Sequence, residues 1–215
     1  MKKVLCLVAV VALGAAAAPR IDAATGAQLT LGGPDAWRVD TQNSAAGFAV
    51  RHMLVSTVRG HLGPVSGTVW YDGKSVTSVR AEITIDVKSL QTGNDTRDNH
   101  LRTNDFFNAQ KFPTITFKSK RAAAGADGHF ILVGDLTIRD VTKPITIPIE
   151  FTGVETDAFG ALRAGFEGTR RIDRREYGLE WNMPLDSGGW LVSEKITLEF
   201  EISAIKRESD AQQAA

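Results

Sequence analysis

Cysteine is almost absent from the chain. Cys6 is the only one, and it lies inside an N-terminal apolar run. A disulfide framework and a cysteine-based zinc cluster are therefore excluded, and the fold must hold without covalent staples. Histidine is scarce at four residues, and no HExxH pattern, nucleophile elbow or phosphate-cradling glycine loop ending in Lys-Ser/Thr occurs. Neither sign of charge is in excess, with 25 Lys and Arg against 25 Asp and Glu. Without a basic block or an aromatic-basic ladder, a nucleic-acid partner is not expected. After the first residues no apolar run approaches the roughly 20 residues needed to span a bilayer as a helix. No repeat with a period of 20–50 residues is present.

What the N-terminus does contain reads as an export signal. Lys2 and Lys3 precede the apolar run 4–13, and alanines 15–18 follow before Pro19. Residues 1–18 are expected to be removed, with the cleavage point as far as residue 24. Loss of Lys2 and Lys3 leaves 23 basic against 25 acidic residues and no cysteine, which suits a bacterial periplasm or secreted space. Residues 25–35 read as a mobile leader, 36–207 as one domain and 208–215 as a disordered tail.

Most of that domain alternates apolar and polar residues with a period of two, the mark of strands with one buried face. The expected strands are 37–40, 46–53, 66–72, 79–88, 114–120, 129–139, 144–153, 161–172 and 194–206, with a turn at 60–67. Residues 79–88 are the cleanest: Ala81, Ile83, Ile85 and Val87 face one way, and Arg80, Glu82, Thr84, Asp86 and Lys88 the other. About eight strands with short connections predict an all-β antiparallel barrel or sandwich. Pro148 cannot donate to a ladder, so its strand needs a bulge or a free edge there. The aligned apolar rows can either fill the interior or line a space for one small ligand.

The alternation stops at residues 91–113. Asn94 or Asp95 can cap a short helix there, Asn104 or Asp105 can open a further turn, and Pro113 returns Phe112 to extended geometry. Leu101, Phe106, Phe107 and Phe112 are too few for an independent core and must pack against the sheet. An insert of about 92–112 is therefore expected to cap one end. Its polar residues Arg97, Asp98, His100, Arg102 and Asp105 can clamp that lid or receive a ligand's polar head, since guanidinium binds phosphate and carbonyl oxygens well. His52 shares a face with Phe48 and Val50 and can serve as a hydrogen-bonded rim residue or meet a ligand.

Four blocks carry a resemblance. They are Phe48-Ala-Val-Arg-His-Met, Asp95-Thr-Arg-Asp-Asn-His-Leu-Arg-Thr-Asn-Asp-Phe-Phe with Lys-Phe-Pro, Gly134-Asp-Leu-Thr-Ile-Arg-Asp-Val-Thr-Lys-Pro, and Gly165-Phe-Glu with Arg174, Tyr177-Gly-Leu and Trp181. In that order, from about Trp37 to Lys206, they resemble the YceI-like proteins, also described as polyisoprenoid-binding. The sequence departs from that pattern at Asn43, Leu62 and Val65.

The resemblance implies a lipocalin-like barrel of about eight strands and a long isoprenoid lipid, a polyprenyl phosphate or isoprenoid quinone, held in its cavity. It also implies a periplasmic setting with links to stress responses. Under that reading the cavity lining is Phe48, Val50, His52, Ile83, Ile85, Val87, Leu101, Phe106, Phe107, Ile115, Phe117, Leu132, Leu136, Ile147, Ile149, Phe166, Trp181, Leu198 and Phe200. The ligand is the only small molecule expected, with no metal, no cofactor and no catalytic set. A fatty-acid or fatty-amide scavenger is the alternative, and an enzyme acting on a prenyl lipid a more distant one. A homodimer and a membrane redox partner stay open as further partners.

Overall fold

A computed structural model describes residues 35–126 and 129–207; the signal and nearly all of the leader, as well as the tail, lie outside the described residues. Ten antiparallel strands form in chain order: β1 (Ala36–Val39), β2 (Ala45–His52), β3 (Ser56–His61), β4 (Val65–Trp70), β5 (Arg80–Asp86), β6 (Thr114–Ala124), β7 (His129–Ile138), β8 (Val141–Thr156), β9 (Leu162–Asp173) and β10 (Val192–Lys206). Pairing runs β1-β4-β5-β6-β7-β8-β9-β10, and β10 returns to β1. Those eight strands close a barrel, the architecture expected. Closure removes the exposed edges that an open sheet would carry.

β10 is long enough to serve two neighbours. Its C-terminal end pairs with β1 (Val39 with Ala204), while its N-terminal part pairs with β2 (Phe48 with Leu198, His52 with Val192). The β2–β3 hairpin thus extends the wall beyond the eight-stranded ring. β3 corrects the expected turn at 60–67. Val58 is its single large aliphatic residue, so the strand has no apolar row for periodicity to detect. It forms because β2 offers a ladder from Gly47–His61 to His52–Ser56.

Pro148 meets the requirement for a free edge. The β8–β9 ladder ends at Ile149–Gly168, and Pro148 is paired only across β7, with Ile131. Residues that cannot donate are tolerated where a ladder stops.

The insert leaves β5 through a 3₁₀ turn (Val87–Ser89) and enters helix α1 (Asp95–Arg102). Of the two candidate caps, Asn94 acts: its side chain accepts from the Arg97 N–H at 2.9 Å. Asp95 and Asp98 lie in the first turn and His100 and Arg102 in the last, each on the favourable side of the helix dipole. Gln91 then bridges His61 on β3, so the insert covers the outer strand's edge. Gly60 makes that approach feasible, because a Cβ there would lie 2.7 Å from both Phe48 and Thr92.

Candidate ligand-binding site

The barrel interior divides into two compartments. Beneath the insert lies a cavity of about 510 Å³, within the roughly 300–1,000 Å³ usual for ligand clefts. Toward the other end only about 70 Å³ remains open. The two voids share no wall residue. The division falls between the row Ile115, Ile138 and Leu198 and the next row inward, Phe117, Leu136 and Phe200.

Packing explains the asymmetry. In the narrow half, Tyr71, Phe151, Phe166 and Phe130 meet one another with ring centroids 5.3–6.4 Å apart, and Trp37 joins Tyr71 at 6.0 Å. Gly134 lets the Phe117 ring lie on β7, where a Cβ would come within 2.7 Å of it. In the wide half the barrel strands contribute aliphatic groups, Ile115, Ile138, Ile172, Ile196 and Leu198. These side chains are too short to meet across the barrel.

The expected lining residues distribute between the two compartments. Phe48, Val50, His52, Leu101, Phe106, Phe107, Ile115, Trp181 and Leu198 wall the large cavity. Ile83, Ile85, Phe117, Leu132, Leu136, Ile147, Ile149, Phe166 and Phe200 surround the small void. Val87 is fully buried in the core and borders neither. Sequence reasoning missed Val58, Leu62, Ile172, Leu179, Leu191, Ile196 and above all Arg174, which also wall the large cavity. Ile196 was visible in the apolar row Ile196, Leu198, Phe200 and Ile202, whereas Gly168 and Arg170 interrupt the row that leads to Ile172. Val58 and Leu191 sit in segments without alternation.

The polar cluster of the insert is tied internally. Buried Asp98 accepts from the Thr92 N–H at 2.9 Å and from its hydroxyl at 2.5 Å. Arg97 donates Nε to the Thr92 hydroxyl at 2.6 Å and Nη2 to the Thr92 carbonyl at 2.9 Å. Arg102 donates to the carbonyls of Lys88 and Leu90 at 2.7 and 2.6 Å, fixing the helix to the strand exit. His100 pairs with Asp105 at 2.8 Å, and its ring stands edge-on to Trp181 and Phe106 at 4.7 and 5.2 Å. Arg97 and His100 border the cavity; Asp98, Arg102 and Asp105 do not.

The loop that follows β9 supplies the opposite wall. Asp173 is held well below the usual carboxylate range, first by the Arg175 guanidinium and also by Lys195. Arg174 points the other way. It is only 3% exposed, and its Nε donates to Ser193 O at 3.1 Å and its Nη1 to Leu179 O. Burial pushes its guanidinium below the ordinary arginine value.

Known proteins share this architecture. The YceI-like domain model matches residues 37–204. A UPF0312 protein of Vibrio vulnificus is 34% identical over 171 residues, 79% of this chain and 86% of that protein. A UPF0312 protein of Staphylococcus aureus is 34% identical over 77% of this chain and 93% of its own length. Among solved structures, Burkholderia cenocepacia BcnA superposes with a TM-score of 0.67 at 22% identity, covering 77% of this chain and 99% of BcnA. A Campylobacter jejuni YCEI protein gives 0.62 at 29% identity over 74% of this chain and 90% of that one. A Saccharophagus degradans domain described as polyisoprenoid-binding gives 0.61 at 16% identity, over 80% of this chain and 98% of that domain. By family model, sequence identity over most of its length and barrel geometry together, the chain belongs to the YceI-like family.

Proposed function

We propose that the protein is a binding or carrier protein that holds an apolar isoprenoid-type lipid in the cavity beneath the insert. One observation carries the reading: half of a closed barrel is filled by interlocked aromatic rings while the other half keeps about 510 Å³ open behind an apolar wall. An apolar wall around a cavity of this size offers dispersion contacts that a hydrocarbon occupant completes. Each methylene transferred contributes about 0.8 kcal/mol, so a five-carbon unit contributes about 4 kcal/mol gross. A few units offset the cost of association and reach micromolar affinity. The Saccharophagus domain's description as polyisoprenoid-binding supports the ligand class. The N-terminal charge and apolar pattern supports export to a bacterial periplasm as the place where the lipid is met.

Native mass spectrometry of the full chain, recovered from its own cells without detergent, tests the proposal. A co-purifying lipid of isoprenoid mass is the expected result. Recovery of fatty acids would favour the scavenger, and empty protein under every growth condition would overturn both.

A further inference from the structure

Beyond the class of the tail, the cavity wall carries information about the head. Arg174 is 97% buried by its 3% exposure, and it belongs to the wall of the large cavity. A guanidinium has five N–H donors and, in a protein, does not lose its charge. Two backbone carbonyls, Ser193 O and Leu179 O, take Nε and Nη1. Nη2 finds no hydrogen-bond partner among the described residues.

Asp173 and Glu194 favour its charge from nearby, but among the described residues neither pairs with it directly. Asp173 is bound to Arg175 at 2.9 Å and to Lys195 at 3.3 Å, and Glu194 is bound to Arg175 at 2.6 Å. A buried cation without an ion-pair partner is costly. Arg97 on the lid side of the same cavity also has two nitrogens engaged, by Thr92, but it is only half-buried, so water can serve its remaining donors.

We propose that Arg174 receives the polar end of the bound lipid, and that this end is an anionic oxygen group, a phosphate or a carboxylate. This rests on the lipid-carrier reading and deepens it. The two backbone bonds fix the guanidinium plane, leaving the Nη2 edge for a charge-assisted hydrogen bond to an anionic oxygen. The hydrocarbon then lies against Ile172, Leu198 and Trp181 on the same wall. A neutral head gives Nη2 no charge-assisted partner and binds less well.

Trp181 in the cavity wall supplies a fluorescence readout. Geranylgeranyl phosphate, palmitate and their chain-matched alcohols are titrated into the full chain and into Arg174→Met, which keeps the apolar stem. The wild-type chain is expected to bind at least one anionic lipid tenfold or more tightly than its alcohol. In Arg174→Met that ratio should collapse toward one. The phosphate and carboxylate arms separate the two sources of the anion.

Because Arg174 also ties two loop carbonyls, the methionine variant could unfold. The Arg174 Nε–H resonance of the wild-type chain is an independent measurement, and it should shift with the anionic lipid but not with the alcohol. An equal affinity for anion and alcohol, or an anion preference that survives in Arg174→Met, overturns the assignment while leaving the carrier reading intact. Failure of every lipid to bind overturns both.

Discussion

The two halves of this barrel are built from the same alternation yet do opposite things. Toward the β1 end, Trp37, Tyr71, Phe130, Phe151 and Phe166 interlock until about 70 Å³ is left. Toward the insert, valine, isoleucine and leucine at the equivalent inward positions leave about 510 Å³. Both ends are tied by ion clusters, Arg163 with Asp40 and Asp157 at one and Asp173 with Arg175 and Lys195 at the other. Side-chain volume, not strand pairing or electrostatics, separates the filled half from the open one.

The largest effect should come from breaking the packed half. Phe130 has no exposure, and Phe130→Ala is expected to cost about 3–5 kcal/mol. Ile196→Ala, on the cavity wall, removes atoms that already face a void. It should cost less than the roughly 2 kcal/mol lower bound for packed isoleucines. Urea unfolding at constant m-value measures both. Equal costs would mean that the cavity wall is as tightly packed as the aromatic half.

The contrast also marks where the sequence could be read and where it could not. Inward direction is written in the alternation, so Phe166 and Leu198 were both legible as interior residues. Volume across the barrel is not, because it depends on which residue of a distant strand stands opposite. Ile83, Ile85 and Phe117 therefore looked the same as Val50 and Ile115, although they surround different voids. The insert was legible because Asn94, Pro113 and the broken alternation are local signals. Arg174 was not, since its role depends on a buried donor without a partner, and burial of an arginine is a property of the folded loop.

A second test concerns the lid that defines the wide half. Asp98 is buried and gathers both the N–H and the hydroxyl of Thr92. Hydrogen bonds to a charged acceptor contribute about 1.5–3 kcal/mol, so Asp98→Ala should loosen the insert by that order. Hydrogen exchange should accelerate across residues 92–107 while the β7 and β8 amides stay protected. Uniform acceleration would instead show that the lid and the packed half unfold together. Asn94→Ala removes one cap bond and should cost about 1 kcal/mol in the same segment.

The last comparison concerns the two ionic ties, which acid should release over different ranges. Asp40 is held at about 2, chiefly by the Arg163 guanidinium and then by Asn43. An aspartate in the unfolded chain titrates near 3.9. Since the folded value is the lower one, the unfolded chain binds the proton more readily. The tie thus contributes fully above about pH 4 and is lost as pH falls toward 2. Asp173 is held further below the carboxylate range, so its contribution persists to stronger acid. Asp40→Asn should therefore flatten the fall in melting temperature between about pH 4 and 2, where the β1 end releases first. Asp173→Asn should flatten the fall from about pH 4 as well and carry that flattening on to stronger acid. A slope between pH 4 and 2 that Asp40→Asn leaves unchanged would assign acid sensitivity to another part of the barrel, and the two ends would then differ in packing alone.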